Sequence, residues 1–113
     1  MSKERFTMAM NGMNMGKLMK QAQDMQRKMS AQQAEIDQQE FIGKAPDDLV
    51  VATFTGDRTM KDLQIKKEAL DPDDPDMISD LTLAAVNDAL KQIDETTKKK
   101  MGQFTQGMNI PGL

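Results

Sequence analysis

Lys17, Lys20, Arg27 and Lys28 place four cations within twelve residues, interrupted by one carboxylate, Asp24, and Lys98, Lys99 and Lys100 form a second run near the other end of the chain. Cations repeated along one face of an element displace the counterions condensed on a phosphate backbone, so they suit a polyanion. Competing chemistries have little to build on. The chain has no His, Cys, Trp or Tyr, which removes the commonest general base, the best thiol nucleophile, thiolate metal sites and the strongest base-stacking side chains. Asp71, Asp73, Asp74 and Asp76 crowd together, but Pro72 and Pro75 interrupt them. The turn glycine and bidentate Glu of a calcium loop are also missing. Helix capping accounts for the cluster, so neither a metal nor a cofactor nor a small-molecule substrate is expected, and the chain is not expected to be an enzyme.

With 15 cations against 18 carboxylates the net charge is −3, so any hold on a polyanion has to come from segregated basic faces rather than overall charge. At 113 residues the chain can bury a real but thin core, which a second copy would supplement. The lack of cysteine fits a reducing compartment, and no apolar run approaches the roughly 20 residues needed to span a bilayer. The N-terminus has no apolar signal region. A soluble, cytoplasmic protein without membrane association is expected.

These cations need elements to position them. Residues 1–12 read as a flexible extension ending in the breaker Asn11-Gly12, and residues 103–113 as a C-terminal tail, with a single domain over 13–102. From about Met15 to Gln39 good helix formers dominate and proline is absent, predicting a long first helix. At about 100° per residue, Leu18, Ala22, Met25, Met29 and Ile36 share a stripe about 60° wide, with Met15 and Met19 beside it. The four cations occupy a sector about 100° wide on the far side. Segments 41–45, 49–56 and 60–70 change to a two-residue period with turn signals between them, predicting three antiparallel strands. Val50, Ala52 and Phe54 share one face, and Leu63 and Ile65 alternate with polar neighbours. A final helix starts at Asp74-Pro75, with Asp74 as cap, and closes at the lysine run before Gly102. Leu81, Ala85 and Ala89 line one side and Leu83, Val86, Leu90 and Ile93 an adjoining one, an arc wider than one small sheet hides. The fold class is α+β, an α-β-β-β-α protomer with a three-stranded antiparallel sheet.

The two-faced first helix admits a membrane-surface role, a packing seam or a phosphate-contacting arm. Methionine with a single leucine is a weak membrane anchor. The spacing of about 3.5 residues favours a seam on the apolar side. Packing, in the core or between copies, is expected for Leu18, Met25, Met29, Phe54, Leu63, Ile65, Leu81, Val86 and Leu90. In a homodimer every basic patch occurs twice, which turns two weak patches into a phosphate clamp.

The motifs MGKLMKQAQDMQRKM, GD-x2-MKDLQI, LDPDDPDMISDLTLAAVNDAL and KKKMG-x5-GMNIPGL, in this order and spacing, closely resemble the bacterial YbaB/EbfC nucleoid-associated proteins over about residues 13–113. The resemblance implies a tweezer-like homodimer with merged sheets and long terminal helices. It also implies binding of double-stranded DNA in the nucleoid with little sequence preference, and effects on gene expression. It assigns DNA contact to Lys17, Lys20, Arg27, Lys28, Lys98, Lys99 and Lys100. APDDL stands where a glycine-rich turn is common in the family. The alternative is a scaffold dimer that grips other proteins through its methionine-rich seam, with incidental DNA binding.

Overall fold

The computed structural model describes residues 2–104, with side chains from Met15 onward. Helix α1 (Ser2–Gln38) is followed by strands β1 (Glu40–Lys44), β2 (Val50–Thr55) and β3 (Met60–Ile65) and by helix α2 (Pro75–Gly102). The α-β-β-β-α order is the expected one. Two boundaries differ. Helix α1 begins upstream of Met15 and runs through Asn11-Gly12, because one glycine in a run of strong helix formers costs only about 1 kcal/mol. Strand β3 stops at Ile65, and Lys67–Ala69 form a single 3-10 turn that buries Ala69. Of the C-terminal tail, residues 105–113 lie outside the described residues.

The chain divides into two compact units, Met1–Ala31 and Gln32–Leu113. The first is helical throughout its described length. In the second, the strands form an antiparallel sheet of order β1-β2-β3. Phe41 faces Phe54 and Gly43 faces Ala52 across β1 and β2, while Val50 faces Ile65 and Ala52 faces Leu63 across β2 and β3. Helix α2 packs across β1 and β2. Its Ala85, Ala89 and Ile93 join Phe41, Val50, Ala52, Phe54 and Ile36 in the core, so the expected alternation of β2 and the expected cover by the last helix are both present.

Two side chains of α2 also reach the outer edge of β1. Gln92 Nε2 donates to Ile42 O at 2.9 Å, and Asp88 Oδ2 accepts from Lys44 N at 2.9 Å. These bonds occupy backbone groups that an edge strand otherwise leaves unpaired. At the other edge, β3 carries Met60 and Ile65 exposed and Leu63 half-buried.

The β1–β2 connection folds without glycine. Asp47 and Asp48 take φ values of 57° and 55°, a left-handed conformation that aspartate tolerates better than most residues because its short side chain bonds locally. Ala45 N donates to Val50 O at 2.9 Å and closes the turn. This is how APDDL replaces a glycine-rich turn.

Candidate nucleic-acid interface

The cations of the first unit take their direction from a helix whose composition leaves no alternative conformation of comparable stability. Lys17, Lys20, Arg27 and Lys28 are all exposed. Arg27 Nη2 lies 3.2 Å from Asp24 Oδ1, so the carboxylate inside the basic sector offsets one of the four charges. Lys17, Lys20 and Lys28 make no ion pair with a described residue.

In the second unit, Lys98 and Lys99 are exposed near the C-terminal end of α2, where cations complement the helix dipole. Lys100 is turned differently. It is half-buried, and its Nζ donates to Gln39 Oε1 at 3.5 Å. Gln103 Nε2 donates to Gln32 Oε1 at 3.3 Å nearby. The two cation groups thus belong to different units, and within the second the lysine run splits into two free members and one engaged member.

Most of the body's other cations are occupied. Lys44 pairs with Asp48 at 3.8 Å, Lys61 with Glu40 at 2.6 Å, and Arg58 with Asp94. The hydrogen bond and charge of Glu40 hold the Lys61 ammonium above the usual lysine range. Exposed Lys66 reaches only the carbonyl of Asp47, at 3.5 Å. Lys67 and Lys91 are exposed and make no ion pair with a described residue. Lys91 was not singled out from sequence. It precedes Lys98 by two helical turns and shares its stripe of α2, a spacing obscured in the sequence by Asp94 and Glu95.

The residues expected to pack are divided by the structure. Phe54 is buried; Met29, Leu63, Leu81, Val86 and Leu90 are half-buried; Leu18, Met25 and Ile65 are exposed, at 60%, 45% and 37%. Leu83, on the adjoining side of α2, is 60% exposed. A single chain therefore leaves apolar side chains on α1, β3 and α2 in solvent. Among the described residues no helix is long and apolar enough to cross a membrane, and no cluster of three or more His, Cys, Asp or Glu could hold a metal ion.

A helix-borne basic face, a helix end with free lysines and a sheet body with its charges neutralised form a surface that can hold phosphate and lacks the means to do covalent chemistry on it. The comparisons with known proteins agree. A family model described as the YbaB/EbfC DNA-binding family matches residues 10–108. A nucleoid-associated protein of Lactobacillus delbrueckii subsp. bulgaricus is 56% identical over 108 residues, covering 96% of this chain and 99% of its own. Another, of Enterococcus faecalis, is 53% identical over 105 residues, covering 92% and 99%. Among solved structures, an uncharacterized protein from Helicobacter pylori matches with a TM-score of 0.65 at 22% identity, over 76% of this chain and 90% of that one, a likeness of fold. On the extent of the family match and of these relatives, the chain belongs to the YbaB/EbfC DNA-binding family.

Proposed function

We propose that the chain binds double-stranded DNA as a homodimer in the cytoplasmic nucleoid, through electrostatic contact of Lys17, Lys20, Arg27, Lys28 and Lys98 to Lys100 with phosphates, and that it organises the nucleoid and thereby affects gene expression. The observation that carries this reading is the partition of charge. Lys44, Arg58 and Lys61 are paired with the protein's own carboxylates, whereas Lys17, Lys20, Lys28, Lys98 and Lys99 are exposed without an ion pair. Cations without a partner gain the most from a phosphate, because no internal bond has to be broken first. The mechanism is counterion release with little base readout. Titrating a labelled duplex at rising salt tests it. Affinity is expected to fall linearly with salt on logarithmic axes; no binding at low salt, or binding indifferent to salt, overturns the reading.

The homodimer is supported by the apolar side chains left in solvent, Leu83 on α2 and Met60 and Ile65 on β3, and by the blocking of the β1 edge, which leaves β3 as the open edge of the sheet. Sedimentation at micromolar concentration is expected to give a dimer. A second reading, a scaffold that grips protein partners, is favoured by the exposed methionine side of α1, since thioethers adapt to varied surfaces. Stoichiometric recovery of a protein partner after nuclease treatment distinguishes the two.

A further inference from the structure

The methionines are segregated from the core. Eight of twelve lie in the first 29 residues, and among the described residues the buried core is built from Ile, Val, Phe and Ala with no methionine. Met15, Met19 and Met25 are 54%, 60% and 45% exposed on the apolar side of α1, beside Leu18. No cysteine, tryptophan or tyrosine competes for an oxidant anywhere in the chain. Leucine would serve a permanent seam as well, with comparable volume and better-defined rotamers, and the chain uses one leucine on this stretch.

We propose that this face is a reversible oxidation site, in which peroxide converts Met15, Met19 and Met25 to sulfoxides and loosens the packing of α1 on a second copy. The inference rests on the reading that this face packs in the dimer. The thioether sulfur attacks one peroxide oxygen; the S–O bond forms as the O–O bond breaks, and water leaves. Sulfur is oxidised by two electrons and the peroxide is reduced. A dithiol-dependent sulfoxide reductase restores the thioether. A sulfoxide in an apolar seam carries a strong hydrogen-bond acceptor with no donor to meet it, so association weakens. The body lacks core thioethers and stays folded, and the cations on the opposite side of the helix are untouched.

The test exposes the full chain to graded hydrogen peroxide, maps sulfoxides by peptide mass, and follows self-association by sedimentation, core stability by thermal unfolding and duplex affinity on the same samples. Sulfoxide is expected at Met15, Met19 and Met25 before half-buried Met29, Met77 and Met101. The dimer dissociation constant is expected to rise at least about tenfold, a shift readily resolved by sedimentation, with the unfolding temperature unchanged. Reductase treatment is expected to reverse the rise, and the triple variant M15L/M19L/M25L to abolish most of it. Unchanged association after oxidation, equal sensitivity of the triple variant, or a monomeric reduced chain overturns the proposal. Failure of the unoxidised dimer to bind duplex instead overturns the DNA reading and leaves the oxidation result standing.

Discussion

Gly43 is the residue through which the sheet and α2 come together. A Cβ at this position would lie 2.1 Å from Ala85 O and 2.4 Å from Ala89 N. Both are backbone atoms of a helix interior, so no rotamer change can relieve the clash and the helix has to lift from β1. Gly43→Ala is expected to destabilise the fold by about 3 kcal/mol, at the upper end of overpacking effects, read as a lower urea midpoint. Asp57 gives a second residue-scale expectation. The Thr55 hydroxyl donates to its carboxylate, Thr59 N donates to it at 3.2 Å, and these bonds, that of Thr55 foremost, hold its pKa below the ordinary value of 3.8. A carboxylate depressed in the folded state adds stability that is complete above the unfolded value and disappears as pH falls through the folded one. Acid unfolding of the wild type is therefore expected to steepen below about pH 4, and Asp57→Asn to flatten that part of the profile; identical profiles refute the assignment. Neither contact was legible in FIGKA or TGDRT. Sequence marks Gly56-Asp57 as a turn but says nothing of which hydroxyl meets which carboxylate, or which helix crosses a glycine.

At the scale of elements the sequence is more informative, because periodicity records which side of an element is buried. VVATFT alternates, and β2 buries Val50, Ala52 and Phe54. The start of α2 was legible for the same local reason, since Pro75 suits a first helical turn and occupies it. The cap itself was read too strongly. Asp74 stands at the N-cap position, but its side chain makes no capping hydrogen bond. Asp71 instead accepts from Asp73 N at 2.9 Å and folds the approach to the helix. A capping aspartate ordinarily contributes about 1 kcal/mol; here only the interaction with the helix dipole is left. Asp74→Ala is expected to cost less than about 0.5 kcal/mol in denaturant unfolding, and a loss of a full cap's worth would show that the bond forms in solution. The misjudged end of β3 has a similar origin. QIKKEAL keeps apolar residues at plausible strand intervals, while the chain has already turned at Lys66 to bury Ala69, a tertiary choice that local pattern does not encode.

For the molecule as a whole the decisive quantity is where charge is free, not how much there is. Net charge is −3, so if overall electrostatics governed duplex binding, removing any three cations would weaken it to a similar degree. If the segregated basic face governs it, position decides. Two triple variants separate these cases while removing the same charge: K17Q/K20Q/K28Q takes exposed lysines without ion pairs from α1, and K44Q/R58Q/K61Q takes cations already paired with Asp48, Asp94 and Glu40. Each phosphate contact contributes about 0.9 to the slope of logarithmic affinity against logarithmic salt. The α1 variant is expected to lose affinity by at least about tenfold and to lower the slope by about one for each contact removed. The body variant is expected to keep the wild-type slope, because its cations neutralise carboxylates of the same chain and release few counterions on binding. Removing them also frees Glu40, Asp48 and Asp94, which adds long-range repulsion, so a modest loss at low salt that vanishes as screening rises is consistent with the same account. Equal slopes lowered equally in both variants would place the interface elsewhere.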